Sequence, residues 1–116
     1  MPAPVYKRLS MDDFSFMSEV ELDRLTQFFK LLADPTRVRL ILLLSKGEWY
    51  VRELSDKLGT TQSAVSHQLS MLKSNHLVCK RRQGKQIYYT LADRKIGATI
   101  ETVRENLDQR KQGGRI

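Results

Sequence analysis

The chain has 116 residues, of which 41% are hydrophobic and 28% charged, and its formal net charge is +7. That length suits one domain with a small core, and the composition is that of a soluble globular chain. The longest apolar run, Leu40 to Leu44, is far too short to cross a bilayer, and the opening MPAPVYK lacks the apolar stretch of a signal peptide, so a cytoplasmic protein is expected. A single cysteine rules out an intrachain disulfide and any thiolate cluster within one subunit. The charge is segregated. Residues 1–58 carry nine Lys/Arg against nine Asp/Glu, whereas residues 59–116 carry eleven against four, which points to a polyanion as the partner of the second half.

Residues 1–17 hold Pro2, Pro4, Tyr6, Phe14 and Phe16 without a sustained period and read as an N-terminal arm. From residue 18 to about 110 the chain reads as one folded domain. Ser18-Glu19-Val20-Glu21 matches a capping box, and Leu22, Leu25, Phe29 and Leu32 follow at helical spacing, predicting a first helix to about Leu32. Asp34-Pro35 opens a second helix, with Asp as N-cap and Pro at the first helical position, and Gly47 closes it after Val38, Ile41, Leu42 and Leu44. A short third helix spans Val51 to Leu58. Gly59 reads as its C-terminal stop, and Thr60 or Thr61 as the cap of a fourth helix over Gln62–Asn75, the spacing of a helix-turn-helix. Past Leu77 the period becomes alternating. Val78 to Arg82 and Gln86 to Leu91 are predicted to pair as a hairpin turning near Gln83-Gly84, with KRRQGK at its tip. A last helix from about Arg94 to Gln109 presents Ile96, Ile100, Val103 and Leu107 as a seam, and residues 111–116 read as a disordered tail. The expected fold is mainly α with a two-stranded β-wing, in the order α-α-α-α-β-β-α.

The fourth helix carries the functional signal. Val65, Leu69 and Leu72 form an apolar stripe, while Gln62, Ser63, Ser66, His67, Ser70 and Lys73 collect on the opposite side. A solvated helix face normally mixes both signs of charge, but this one has no carboxylate. Hydroxyls, an amide, an imidazole and an ammonium are what a helix needs to read base edges without repelling phosphates. Gln62, Ser63, Ser66 and His67 are therefore expected to read bases. Thr61, Ser70, Lys73, Arg82 and Lys85 are expected to hold the DNA backbone. Gln68 lies on the apolar side, where periodicity assigns it no role.

Three segments, LADPTRVRLILLL, LGTTQSAVSHQLSMLKSNHLV and RRQGKQIYYTLAD, resemble the ArsR/SmtB family of bacterial winged helix-turn-helix repressors, with a match over roughly residues 22–109. The resemblance implies a homodimer joined through its first and last helices, with the helix at Gln62–Asn75 of each subunit in a major groove of a palindromic operator. It also implies metal sites that this chain does not reproduce. Family members that bind ions between their last helices use an Asp-x-His and a later His-x-x-Glu; the matching positions here are Asp93 and Lys95, then Asn106 and Gln109. Members with a thiolate pair carry ELCVCDL where this chain has EWYVREL, with Tyr50 and Arg52 in place of the cysteines. No metal and no cofactor is expected. The expected protein is a metal-independent repressor whose inducer the sequence does not name; a sharper alternative has Lys95 stand in for an ion, paired with Asp93 or Glu101 across the dimer seam.

Cys79, beside Lys80, Arg81 and Arg82, leaves open a redox-responsive repressor. A sequence-indifferent nucleic-acid binder, or a partner-binding module that has lost its DNA, also remains open. His76 falls at a helix end, where an imidazole can meet the helix dipole. Trp49, Tyr88 and Tyr89 read as packing residues rather than a base-stacking platform. No nucleophile elbow, phosphate loop or paired-carboxylate pattern occurs, so an enzyme is not expected.

Overall fold

A computed structural model describes residues 16–112. Its elements are α1 (Glu19–Leu32), α2 (Pro35–Leu44), β1 (Trp49–Tyr50), α3 (Val51–Leu58), α4 (Gln62–Ser74), β2 (Val78–Gln83), β3 (Gln86–Leu91) and α5 (Arg94–Gln112). The four helices, hairpin and closing helix expected from periodicity are all present. Residues 1–15 of the arm and 113–116 of the tail lie outside the described residues, and α5 continues past Gln109 to Gln112.

Local chemistry explains where the helices begin. Ser18 Oγ accepts from the Glu21 N–H at 3.0 Å, Asp34 Oδ2 from the Arg37 N–H at 3.0 Å, and Thr61 Oγ1 from the Ala64 N–H at 3.0 Å. Each satisfies one of the donors that a helix N-terminus leaves without an intrahelical partner. Of the two threonines in the turn, Thr61 is the cap.

The wing gains a strand that alternation did not reveal. β1 pairs antiparallel with β3, in register Trp49↔Tyr89 and Tyr50↔Tyr88, giving the sheet order β1-β3-β2. Its aromatics pack as expected. Trp49 Nε1 donates to the Leu43 carbonyl at 2.7 Å, and the Tyr50 and Tyr88 rings meet edge to face with centroids 5.8 Å apart. The hairpin turn lies one residue later than predicted, at Gly84-Lys85, flanked by the pair Gln83↔Gln86. Gly84 has φ +63°, the single positive φ at the first turn position that a type II′ turn requires.

The core joins Leu31, Leu40, Ile41, Leu44, Leu54, Val65, Leu69, Leu72, Leu77, Val78 and Leu91. The apolar stripe of α1 divides between two surroundings. Leu32, with Phe28 and Leu31, packs on the body, while Leu22, Leu25 and Phe29 remain exposed at 48%, 43% and 60%. The seam on α5 divides in the same way: Ile96 and Ile100 pack against the core, but Val103 and Leu107 are exposed. α5 packs tightly against the C-cap of α2 at the buried Gly97, where an added Cβ would stand 2.6 Å from the Ser45 Cβ.

Candidate nucleic-acid interface

Two matched helix ends set the position of α4. Gly59, at φ +65°, lets α3 stop in a left-handed turn in which the Thr60 N–H donates back to the Ser55 carbonyl at 3.1 Å. α4 itself closes through a Schellman pair: the Leu77 N–H donates to the Leu72 carbonyl at 2.9 Å and the His76 N–H to the Lys73 carbonyl at 3.0 Å. His76 therefore occupies the position usually given to glycine, at φ +61°, and its backbone rather than its imidazole makes the cap.

Between these ends the helix sorts as its sequence predicts. Val65, Leu69 and Leu72 are fully buried, while Gln62, Ser63, Ser66, His67, Ser70 and Lys73 are exposed. Among the described residues, none of those six side chains has a hydrogen bond or ion pair within the chain. Gln68 has a partner that periodicity could not show. Its Oε1 accepts from Arg37 Nε at 2.8 Å, and the same guanidinium reaches the Leu31 carbonyl at 3.2 Å and Met71 Sδ at 3.7 Å.

The wing adds cations on either side of α4. A cleft of about 450 Å³ is bordered by Arg52, Gln62 and Lys85, and a second, of about 260 Å³, by Ser70, Lys73 and Lys80. Arg52 and Lys80 thus stand beside the residues expected to hold the DNA backbone, a placement that the sequence does not predict for either. A signal existed for Lys80, since it shares a strand face with Arg82 at period two. Arg82 Nε donates to the Gly84 carbonyl at 3.2 Å, and Lys85 has no partner among the described residues.

Arg81 is differently engaged. Its Nε and Nη2 hold Glu48 at 2.5 and 2.9 Å, Nη1 donates to Gln83 Oε1 at 2.7 Å, and its guanidinium lies 5.0 Å from the centre of the Tyr88 ring. The hydrogen bonds from Arg81 hold the Glu48 carboxyl below the usual carboxylate range, and Glu48 in turn raises Arg81. This pairing ties the wing to Glu48, the residue just before β1.

The remaining candidates are scattered. Asp93 Oδ1 accepts from the Lys95 backbone N–H at 2.9 Å, and Glu101 lies 3.7 Å from Arg104. Within the chain, then, neither suggested partner meets the Lys95 ammonium, which is exposed. Cys79 is exposed, with Sγ 3.9 Å from the Leu91 carbonyl. Among the described residues no three His, Cys, Asp or Glu side chains gather as metal ligands, and no helix is long and apolar enough to cross a membrane.

Comparison with known proteins agrees with this geometry. The family model described as bacterial regulatory protein, arsR family, matches residues 34–80. A transcriptional repressor SmtB homolog of Synechocystis is 39% identical over 93 residues, covering 80% of this chain and 70% of the relative. The arsenical resistance operon repressor of Escherichia coli is 42% identical over 67 residues, or 57% of each chain. Among solved structures, Rv0081 of Mycobacterium tuberculosis superposes with a TM-score of 0.75 at 31% identity, over 83% of this chain and 97% of that one. A homodimeric winged helix-turn-helix DNA-binding domain from Mycobacterium bovis also gives 0.75, at 27% identity, over 85% and 94%.

Proposed function

Because the chain belongs to the ArsR family of bacterial regulatory proteins, and so is a DNA-binding transcriptional regulator and not an enzyme, we propose that it is a homodimeric repressor of a palindromic operator, acting in the cytoplasm. The observation that carries this reading is the side of α4 without carboxylates, which is exposed and without intrachain partners while the opposite stripe is fully buried. Gln62, Ser63, Ser66 and His67 read bases. Thr61, Ser70, Lys73, Arg82 and Lys85, joined by Arg52 and Lys80, hold phosphates. Thr61 can do so while capping, because its hydroxyl hydrogen remains free to donate. The homodimer is supported by the exposed apolar residues of α1 and α5, and by the homodimeric state of the Mycobacterium bovis neighbour.

Regulation through the metal positions of the family is disfavoured by the side chains standing there. Lys95 brings a positive charge, Asn106 and Gln109 are neutral amides, and Tyr50 and Arg52 replace thiolates.

The test is titration of the gene's upstream DNA against shuffled DNA over a salt series. Ser66→Ala or His67→Ala should cost about 1–3 kcal/mol on the operator and leave shuffled DNA unaffected. Arg82→Ala or Lys85→Ala should weaken both and lower the salt slope by about one each. Equal losses on both DNAs from the α4 variants would instead mark a sequence-indifferent binder.

A further inference from the structure

A third cleft, of about 350 Å³, opens away from α4 and the wing, between α2, the end of α3 and α5. Leu42 and Leu58 contribute to an apolar floor, and Arg39, Lys46, Lys57 and Arg104 stand around it. Glu101, 3.7 Å from Arg104, is the one carboxylate that lines the cleft. Arg39, Lys46 and Lys57 make no side-chain hydrogen bond or ion pair among the described residues. Three exposed cations without partners thus stand beside half-buried leucines, with no contact among the described residues that accounts for them. The volume lies at the lower end of the range for small-molecule sites.

We infer that this cleft binds a small organic anion, a carboxylate carried on an apolar ring or chain, and that its occupancy is transmitted to the operator-binding helix. The inference rests on the repressor reading for its second half only. The charge sets the sign of the ligand, since a carboxylate between Lys46 and Lys57 gains attraction that the low-dielectric floor screens less than water would. The floor sets the rest. An inorganic ion would leave the leucines uncovered, whereas an apolar body covers them.

Transmission follows from chain continuity. Lys57 and Leu58 line the cleft and lead directly into Gly59, whose left-handed turn fixes the cap of α4. A ligand that moves the end of α3 relative to α2 and α5 therefore moves α4. On α5, Glu101 lies about 120–160° round the helix from Val103 and Leu107, whereas Arg104 lies about 60° from Leu107, so the Glu101 side of the cleft faces away from those two residues and Arg104 borders them.

The test uses the full chain and three probes of one shape: 2-naphthoate, neutral 2-naphthalenemethanol and cationic 2-naphthylmethylamine, titrated by calorimetry and by amide NMR. Naphthoate should bind about tenfold more tightly than either analogue, with shifts centred on residues 39–46, 57–58 and 101–104. Lys46→Glu and Lys57→Glu, both at exposed positions, should each weaken it about fivefold or more, while Lys73→Glu on the α4 face leaves it unchanged. Equal binding of all three probes would overturn the site, as would loss with Lys73→Glu but not with Lys57→Glu. Saturating naphthoate should change operator affinity about threefold or more, and operator should change naphthoate affinity by the same factor. Unaltered operator affinity with naphthoate bound would overturn the transmission. Failure of the repressor reading is separately visible, as no preference for upstream over shuffled DNA before any naphthoate is added.

Discussion

Arg37 ties its own helix, α2, to two others through one guanidinium: the end of α1 through the Leu31 carbonyl, and α4 through both Gln68 and Met71. The half-buried Gln68 is the only amide on the inner side of α4, and no periodic pattern could place its partner 31 residues away. Arg37→Ala removes the donor and leaves the Gln68 oxygen without a partner, which should cost about 1–3 kcal/mol in urea unfolding. Arg37→Lys should recover little of this, because a single ammonium cannot span positions that a planar fork reaches together. Arg37→Met combined with Gln68→Met should return most of the loss, since replacing both polar partners by apolar groups of similar size is nearly neutral. If the double variant is no more stable than Arg37→Ala, the Arg37–Gln68 bond is not what holds α4 in place.

Among the elements, legibility followed local chemistry. The starts of α1, α2 and α4 were readable because Ser18, Asp34 and Thr61 are caps whose partners lie three residues ahead. β1 was not, since two residues carry no period and Trp49-Tyr50 is a strand only because β3 has an edge to offer. Periodicity also found the apolar stripe of α1 without showing what would cover it, because an exposed stripe and a buried one have the same spacing. The polar face of α4 was legible from composition, whereas Arg52 joined that site only through the folding of the wing over α3. Gly97 was equally hidden, as a helical glycine looks like a mere weakness until the neighbouring helix is in place. Gly97→Ala should raise intrinsic helix propensity by about 1 kcal/mol, yet its Cβ would meet Ser45 at 2.6 Å, and overpacking of that kind costs about 1–3 kcal/mol. A net loss of thermal stability is expected, with Ser45→Gly restoring it in the double variant. Stabilisation by Gly97→Ala alone would mean that α5 moves freely against α2.

At the scale of the whole molecule, the two halves of the chain divide the work. The second half carries the net positive charge, which the proposed function sets against DNA, and the exposed apolar groups at both ends, Leu22, Leu25 and Phe29 on α1 with Val103 and Leu107 on α5, are the surface it assigns to a twin subunit. Phe29, 60% exposed, and Leu107, 55% exposed, contribute little to the core of one chain, so Phe29→Glu with Leu107→Glu should leave the far-UV circular dichroism nearly unchanged. Sedimentation equilibrium should then give the mass of one chain, where the unmodified protein gives two. Operator binding should suffer far more than two surface changes distant from DNA would suggest. A dimer holds the second half-site at high effective concentration, and its loss should weaken operator binding by about 10²-fold or more. The salt dependence should fall to about half its slope, because half of the phosphate contacts have gone. These two changes belong together: a weakened operator complex with an unaltered slope would mean that the variant is still binding as a dimer, and that the apolar residues of α1 and α5 serve some other contact.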